Sequence, residues 1–270
     1  MNKKTFSLTE PIYVGFVGPA GSGKTFTAKS IVPPSTSSLY NDPGTFPNVI
    51  WDHQWMSLPL YSIYNARTQT IGIDVKNRIL YTIHDIVNSV VMKQLSFDDM
   101  IELIYDLYSL PITNSEDEKP RTFLQQSGDL FLKNNLTCLA KYAKYKVYSM
   151  WQSACVEYDR NDLETPWYIG IISDVRQDHE AKMIHDQKNN LLIKFEADEK
   201  TIRQRLLDRD GILLSNSEAS HRTEQGFDLI PNEWYDLVID TTTMSREEQI
   251  KTVKDFILSH NFYQESSLNA

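Results

Sequence analysis

Between Gly18 and Thr25 the chain reads GPAGSGKT. No other stretch constrains the fold as strongly. Glycines at this spacing let successive backbone N–H groups converge on phosphate oxygens at a helix N-terminus, and that geometry needs a strand before the loop and a helix after it. Both are where they are required. Ile12 to Val17 is a short apolar run, β-branched and aromatic, that reads as a buried strand, and Lys24 to Val32 reads as a helix stopped by Pro33 and Pro34. The loop therefore predicts binding of ATP or GTP, with Gly18, Ala20, Gly21, Ser22, Gly23, Lys24, Thr25 and Phe26 around the phosphates. Lys24 would reach the β- and γ-phosphates, and the Thr25 hydroxyl would be a ligand to Mg²⁺. The motif leaves open whether the terminal phosphate passes to water, drives a mechanical cycle or is given to a second molecule.

Further along, three continuous apolar runs have the character of strands buried on both faces: Trp167 to Ser173, Asn190 to Ala197 and Asp236 to Thr241. Helical patterns lie between and after them, at Glu180 to Asp186, Lys200 to Asp208 and Ser245 to Ser259. Strands alternating with helices predict an α/β fold: a parallel sheet flanked by helices on both faces. The middle of the chain is helical in pattern, over Asn77 to Gln94, Asp98 to Tyr108, Arg121 to Asn134 and Asn135 to Tyr158. Ser35 to Gly72 reads as irregular and rich in aromatics, either a packed loop region or a substrate-binding insertion. The whole of 1–270 is expected to be one domain, with a substrate-binding insertion at about 35–160 and a lid at about 200–226.

Two further segments point to chemistry. The strand Ile169 to Ser173 runs into Asp174-Val-Arg176. Ligands of parallel sheets sit at the carboxyl ends of strands, so Asp174 would face the nucleotide, holding Mg²⁺ through water or taking a proton from an attacking hydroxyl. Arg176 could grip phosphate bidentately; the bland alternative is a surface Asp–Arg pair capping the next helix. The segment Asp198 to Gly211 carries Arg203, Arg205 and Arg209. Arg205 and Arg209 share a helix face, where they could neutralise a phosphoryl group in transit or else form solvated ion pairs with Glu199, Asp208 and Asp210. The 270 residues include 27 basic and 36 acidic side chains, a net charge of −9, which argues against a general nucleic-acid surface. Cys138 and Cys155 lack metal-type spacing, and no apolar run approaches a membrane span, so the expected setting is the cytoplasm.

Taken together, GPAGSGKT, RTFLQQSGD (Arg121 to Asp129), ISDVR (Ile172 to Arg176) and RTEQGFD with the later YDLVIDT resemble the bacteriophage-type deoxynucleoside monophosphate kinases. The resemblance implies a nucleoside monophosphate kinase fold with helical substrate-binding and lid segments. It also implies ATP-dependent phosphorylation of a deoxynucleotide with Mg²⁺, in a host cytoplasm if the source is viral. Carried over by position, Arg121, Gln125, Arg176 and Glu224 would hold the monophosphate substrate, and Arg205 and Arg209 match the lid arginines. The partner implied is a small-molecule nucleotide, with a homodimer allowed for. The chain departs from the family after Gly128, where Asp129-Leu130 stands in place of the usual Thr-Glu.

Overall fold

A computed structural model describes residues 3–32, 40–41, 49–69, 73–86, 97–112, 120–134, 138–161, 164–211 and 226–263. The strands are β1 Thr5–Ser7, β2 Ile12–Val17, β3 Tyr40–Asn41, β4 Val49–Trp55, β5 Trp167–Val175, β6 Asn190–Glu196, β7 Leu237–Asp240 and β8 Asn261–Tyr263. The helices are α1 Lys24–Ile31, α2 Leu58–Gln69, α3 Ile73–Ile86, α4 Phe97–Ser109, α5 Arg121–Asn134, α6 Cys138–Arg160, α7 Asp178–His185, α8 Glu199–Asp210 and α9 Arg246–Leu258.

Six strands form the central sheet in the order β3-β4-β5-β2-β6-β7. β4, β5, β2, β6 and β7 are mutually parallel, and β3 adds an antiparallel edge. Alternation along the strands explains why helices cover both faces. Ile12, Val14 and Phe16 of β2, Ile169 and Ile171 of β5, and Leu191, Ile193 and Phe195 of β6 pack against Ala28 and Ile31 of α1 and Val253 and Ile257 of α9. The intervening residues Tyr13, Val17, Tyr168, Ile172 and Leu192 pack on the opposite face against Ala143 and Val147 of α6 and Ala181 and Ile184 of α7. Every residue of β2 is buried, which is what a strand at the centre of a two-sided parallel sheet requires. A third core, formed by α2, α3, α4, α5 and the start of α6, includes Ile63, Ile79, Leu107, Phe123, Phe131 and Cys138.

The reading of 35–72 as irregular needs correction. Val49–Trp55 is a full strand of the central sheet, in parallel register with β5 from Val49↔Trp167 to Trp55↔Ser173. Its second half, Asp-His-Gln, hides the strand from a hydropathy pattern because its polar groups are met locally: Gln54 donates to both Asp52 oxygens, and His53 pairs with Ser173 across the sheet. Leu58–Gln69 is a helix despite Pro59, which sits in its first turn, where a missing N–H costs nothing. Accordingly 35–160 is not wholly an insertion, since part of it builds the sheet. β1 and β8, too short to stand out in the sequence, pair in parallel beside the sheet. The segment at 77–94 is helical over Ile73–Ile86, and the remainder of that expectation lies outside the described residues. Among the described residues no helix is long and apolar enough to cross a membrane.

Candidate active site

The glycine loop leaves the carboxyl end of β2, between β5 and β6. Two of its glycines have a backbone conformation that side chains rarely adopt, and at Gly18 the backbone itself leaves no room for a Cβ. Gly18 has φ +142° and a Cβ there would lie 2.3 Å from the Phe195 carbonyl oxygen; Gly23 has φ +96° and its Cβ would lie 2.5 Å from the Gln249 amide nitrogen. Lys24 is buried, its Nζ donating to the Pro19 carbonyl at 2.9 Å, so the ammonium is folded back over the loop. The loop is fastened from outside by Arg205 of α8. Its guanidinium donates to the Thr241 carbonyl at 2.6 Å, to the Thr241 hydroxyl at 2.9 Å and to the Gly21 carbonyl at 3.3 Å. The Thr241 hydroxyl in turn lies 3.0 Å from the Ser22 carbonyl.

Ala20, Gly21, Gly23, Lys24, Thr25 and Phe26 form one wall of an open cleft of about 530 Å³. Asp174, Arg176, Arg205, Asp208 and Arg209 also line it. Gly18 and Ser22 shape the turn from behind and do not line the cleft; the Ser22 side chain is wholly buried. Beyond the loop, Arg246 stacks on the Phe26 ring with 5.0 Å to its centroid.

Asp174 occupies the turn after β5 with φ +65°, the one positive φ outside glycine among the described residues. Such a conformation costs roughly 1–3 kcal/mol and persists where its surroundings over-determine it. Here Oδ1 accepts from the Thr25 hydroxyl at 3.4 Å, Oδ2 accepts from the Ser57 hydroxyl at 3.3 Å, and Arg176 Nη2 lies 3.8 Å from Oδ1. A hydroxyl and a carboxylate this close are hard oxygen donors of the kind Mg²⁺ takes. Among the described residues no three histidine, cysteine or acidic side chains gather as a metal cage. A magnesium ion at Thr25 and Asp174 would complete its shell with water and phosphate oxygens.

On the other side of Asp174 and Arg176 opens a second recess, of about 100 Å³. Its apolar surface comes from Met56, Leu60, Leu124, Leu132 and Leu139, and its polar groups are Ser57, Tyr61, Arg121, Gln125, Asp129 and Glu180. Three residues expected to hold a substrate, Arg121, Gln125 and Arg176, are thus brought together from α5 and the end of β5. The fourth, Glu224, lies outside the described residues, as does the lid beyond residue 211. Glu180 is largely buried, and burial pushes its carboxyl up to about 7 against the pull of the Arg176 and Gln177 N–H groups that donate to it at 2.7 and 3.1 Å.

Between the two spaces a carboxylate is held by two guanidiniums. Asp210 accepts from Arg121 at 2.7 Å and, bidentately, from Arg209 at 2.6 Å. Burial opposes its charge, but the bonds from Arg209 and Arg121 outweigh it and hold the carboxyl down to about 2. Arg121 and Arg209 thus meet on one carboxylate, and Arg176 lines both spaces. The expected pairing of Arg205 and Arg209 on one face holds for the backbone, yet their duties differ. Arg205 is bound to the loop and Thr241, whereas Arg209, half-exposed, makes the ion pair with Asp210 that the alternative named, and Arg203 lies 3.5 Å from Glu199.

Sequence reasoning missed His53, Ser57, Tyr61, Asp129, Glu180 and Asp210 as site groups. Asp129 was within reach, being one turn after Gln125 on the same face of α5. The others come from elements joined only by the fold.

No protein-family model and no curated protein sequence matches the chain. Among solved structures it is similar to TT1252 from Thermus thermophilus, at 14% identity and a TM-score of 0.40 over 93% of this chain and 97% of that one. An uncharacterized protein from Eubacterium ventriosum ATCC 27560 gives 10% identity and 0.37 over 93% and 100%. Shikimate kinase from Acinetobacter baumannii in complex with shikimate gives 9% and 0.37 over 92% and 94%. Likeness at this level assigns neither substrate nor reaction.

Proposed function

We propose that the chain is a kinase that transfers the γ-phosphoryl group of ATP to the 5′-phosphate of a deoxynucleoside monophosphate, giving the diphosphate and ADP. The observation that carries this reading is the convergence of Arg121, Arg176 and Arg209 where the cleft meets the recess. Two anions brought end to end need that density of positive charge, and one acid, Asp210, already occupies part of it.

ATP would lie with its phosphates on Gly21 to Thr25, the loop N–H groups and Lys24 facing the β- and γ-phosphates. When bound at Thr25 and Asp174, Mg²⁺ would neutralise charge on the phosphates and fix their orientation. The acceptor would enter the recess, its phosphate towards Arg176 and Arg121, its base over Leu60 and Leu124 with Gln125 and Asp129 at the edge. The acceptor oxygen is already anionic, so no strong general base is needed; alignment and charge neutralisation supply the rate. His53 cannot act as such a base, because burial holds its imidazole down to about 4 and its ring is bonded to Trp55 and Ser173. α8, with the segment that follows to about 226, would serve as the lid.

A second reading draws on size. The recess, at about 100 Å³, is below the roughly 300–1,000 Å³ of most ligand pockets. A smaller acceptor would fit it without movement, whereas a nucleotide needs α2 and α5 to part. Incubation with Mg-ATP and each of the four deoxynucleoside monophosphates in turn, with product separation, decides between them. We expect a diphosphate from at least one; none from any nucleotide, with ATP converted to ADP only when a small metabolite is added and itself phosphorylated, would transfer the assignment to the second reading.

A further inference from the structure

We propose that His53 is a positioning residue: a hydrogen-bonded series from the Trp55 indole through His53 to Ser173 sets the turn that presents Asp174 to the metal side of the cleft. This rests on reading Thr25 and Asp174 as the magnesium–nucleotide face.

Direction follows from chemistry. The Trp55 indole N–H can only donate, and it lies 3.2 Å from His53 Nδ1. Nδ1 is therefore the acceptor, and in the neutral ring the proton is on Nε2. That N–H donates to Ser173 Oγ at 2.8 Å. Ser173 is wholly buried, immediately precedes Asp174, and accepts at its carbonyl from the Met56 N–H at 3.3 Å. Ser57, next in line, donates to Asp174 Oδ2. The stretch from His53 to Ser57 thus grips the end of β5 at three points, two on Ser173 and one on Asp174, whose left-handed backbone must be imposed from outside.

A merely structural histidine could be any group of the right size. Three features argue otherwise. The ring is neutral by burial, so its tautomer is set by Trp55 and not by pH. Its partner abuts the carboxylate that faces Thr25. Trp55 also touches the cleft indirectly, since the Lys29 ammonium that lines it lies 4.9 Å from the indole centroid. Hydrogen bonds to a metal ligand are typically worth roughly 10–100-fold in metal affinity, and His53, bonded to the residue before the ligand, acts at the low end of that range.

Calorimetry of ATP binding to the full chain, with Mg²⁺ and with chelator, tests this, together with direct Mn²⁺ binding followed by paramagnetic resonance. His53→Leu should weaken Mn²⁺ binding and the Mg²⁺-dependent gain in ATP affinity by about tenfold while leaving metal-free ATP affinity within about twofold. His53→Gln, which can still donate to Ser173, should recover most of the loss, and Trp55→Phe should lose about threefold because the ring is no longer locked. Should His53→Leu not fold, Ser173→Ala removes the same bond with little change of volume and carries the same expectation. Equal losses with and without metal, or no rescue by glutamine, would reduce His53 to packing. A wild-type chain whose ATP affinity gains nothing from Mg²⁺ would overturn the cleft reading and this proposal with it. A normal gain that survives in both His53→Leu and Ser173→Ala overturns the positioning role alone.

Discussion

The cleft and the recess meet at Asp174 and Arg176 but are built on different principles. One wall of the cleft is a run of neighbouring residues, Ala20 to Phe26, whose chemistry is mostly backbone N–H groups at the start of α1, and only its far side is gathered from distant residues such as Asp174, Arg205 and Arg246. The recess takes side chains from α2, α5, α6, α7 and the end of β5, residues separated by up to 124 positions between Met56 and Glu180. Binding shared by all nucleotides can be written in one loop, because phosphate is the same in each. Selecting an acceptor requires shape and side-chain polarity, which only tertiary packing assembles.

Lys24→Ala puts the cleft to the hardest test. Removing the one lysine that caps the loop should lower kcat/KM by about 10³-fold or more, since a charge aimed at the transferred group acts mainly in the transition state. Steady-state assays with Mg-ATP and the best acceptor measure this. A loss below tenfold would mean that chemistry does not occur at Gly18–Thr25, and the comparison would lose its donor half.

Arg176→Ala probes the shared border. Arg176 lines both spaces, so turnover should fall by about 10²–10³-fold while ATP affinity, measured by calorimetry, changes by less than about threefold. Parallel loss of turnover and ATP affinity would assign Arg176 to the cleft alone.

The same contrast explains what could be read beforehand. The loop, β2, α1, β5 and β6 were legible because each is a local pattern: a glycine spacing, an unbroken apolar run, a helical period. α5 was legible to the residue, at Arg121–Asn134, because its apolar stripe is regular. β4 was not, for its carboxylate, imidazole and amide look like loop until Ser173 is seen across the sheet. Arg205 and Arg209 illustrate the limit within one helix. Their four-residue spacing fixes a shared face, yet nothing in it says that one meets Thr241 and the other Asp210.

Asp210→Asn tests whether the recess is anion-gated. Asn keeps the shape but frees Arg121 and Arg209 from a full negative charge. An acceptor phosphate then no longer competes with Asp210, and its KM should fall by about three- to tenfold, with kcat changed less. The variant should also lose roughly 1–3 kcal/mol of stability, because two guanidiniums lose their anion. The wild-type carboxyl, held down to about 2 from 3.8, contributes stability present above pH 4 and lost as the pH falls towards 2. That acid-side loss should be reduced in the variant. An unchanged or raised KM would make the Arg121–Asp210 pair a plain strut between α5 and α8.

Glu180→Gln is the gentlest probe and concerns only the recess wall. The wild-type carboxyl rises from 4.5 to about 7 on folding, so the folded state favours the protonated form. The linked stability is complete below pH 4.5 and is lost as the pH climbs through 7. Glutamine is neutral throughout and can still accept from the Arg176 and Gln177 N–H groups, as glutamine does in a capping box. Thermal melts between pH 4.5 and 8 should therefore slope downward in the wild type by about 3 kcal/mol more than in the variant. A variant as pH-sensitive as the wild type would show that Glu180 is ionised beside Arg176, and the recess would then be as charged a place as the cleft.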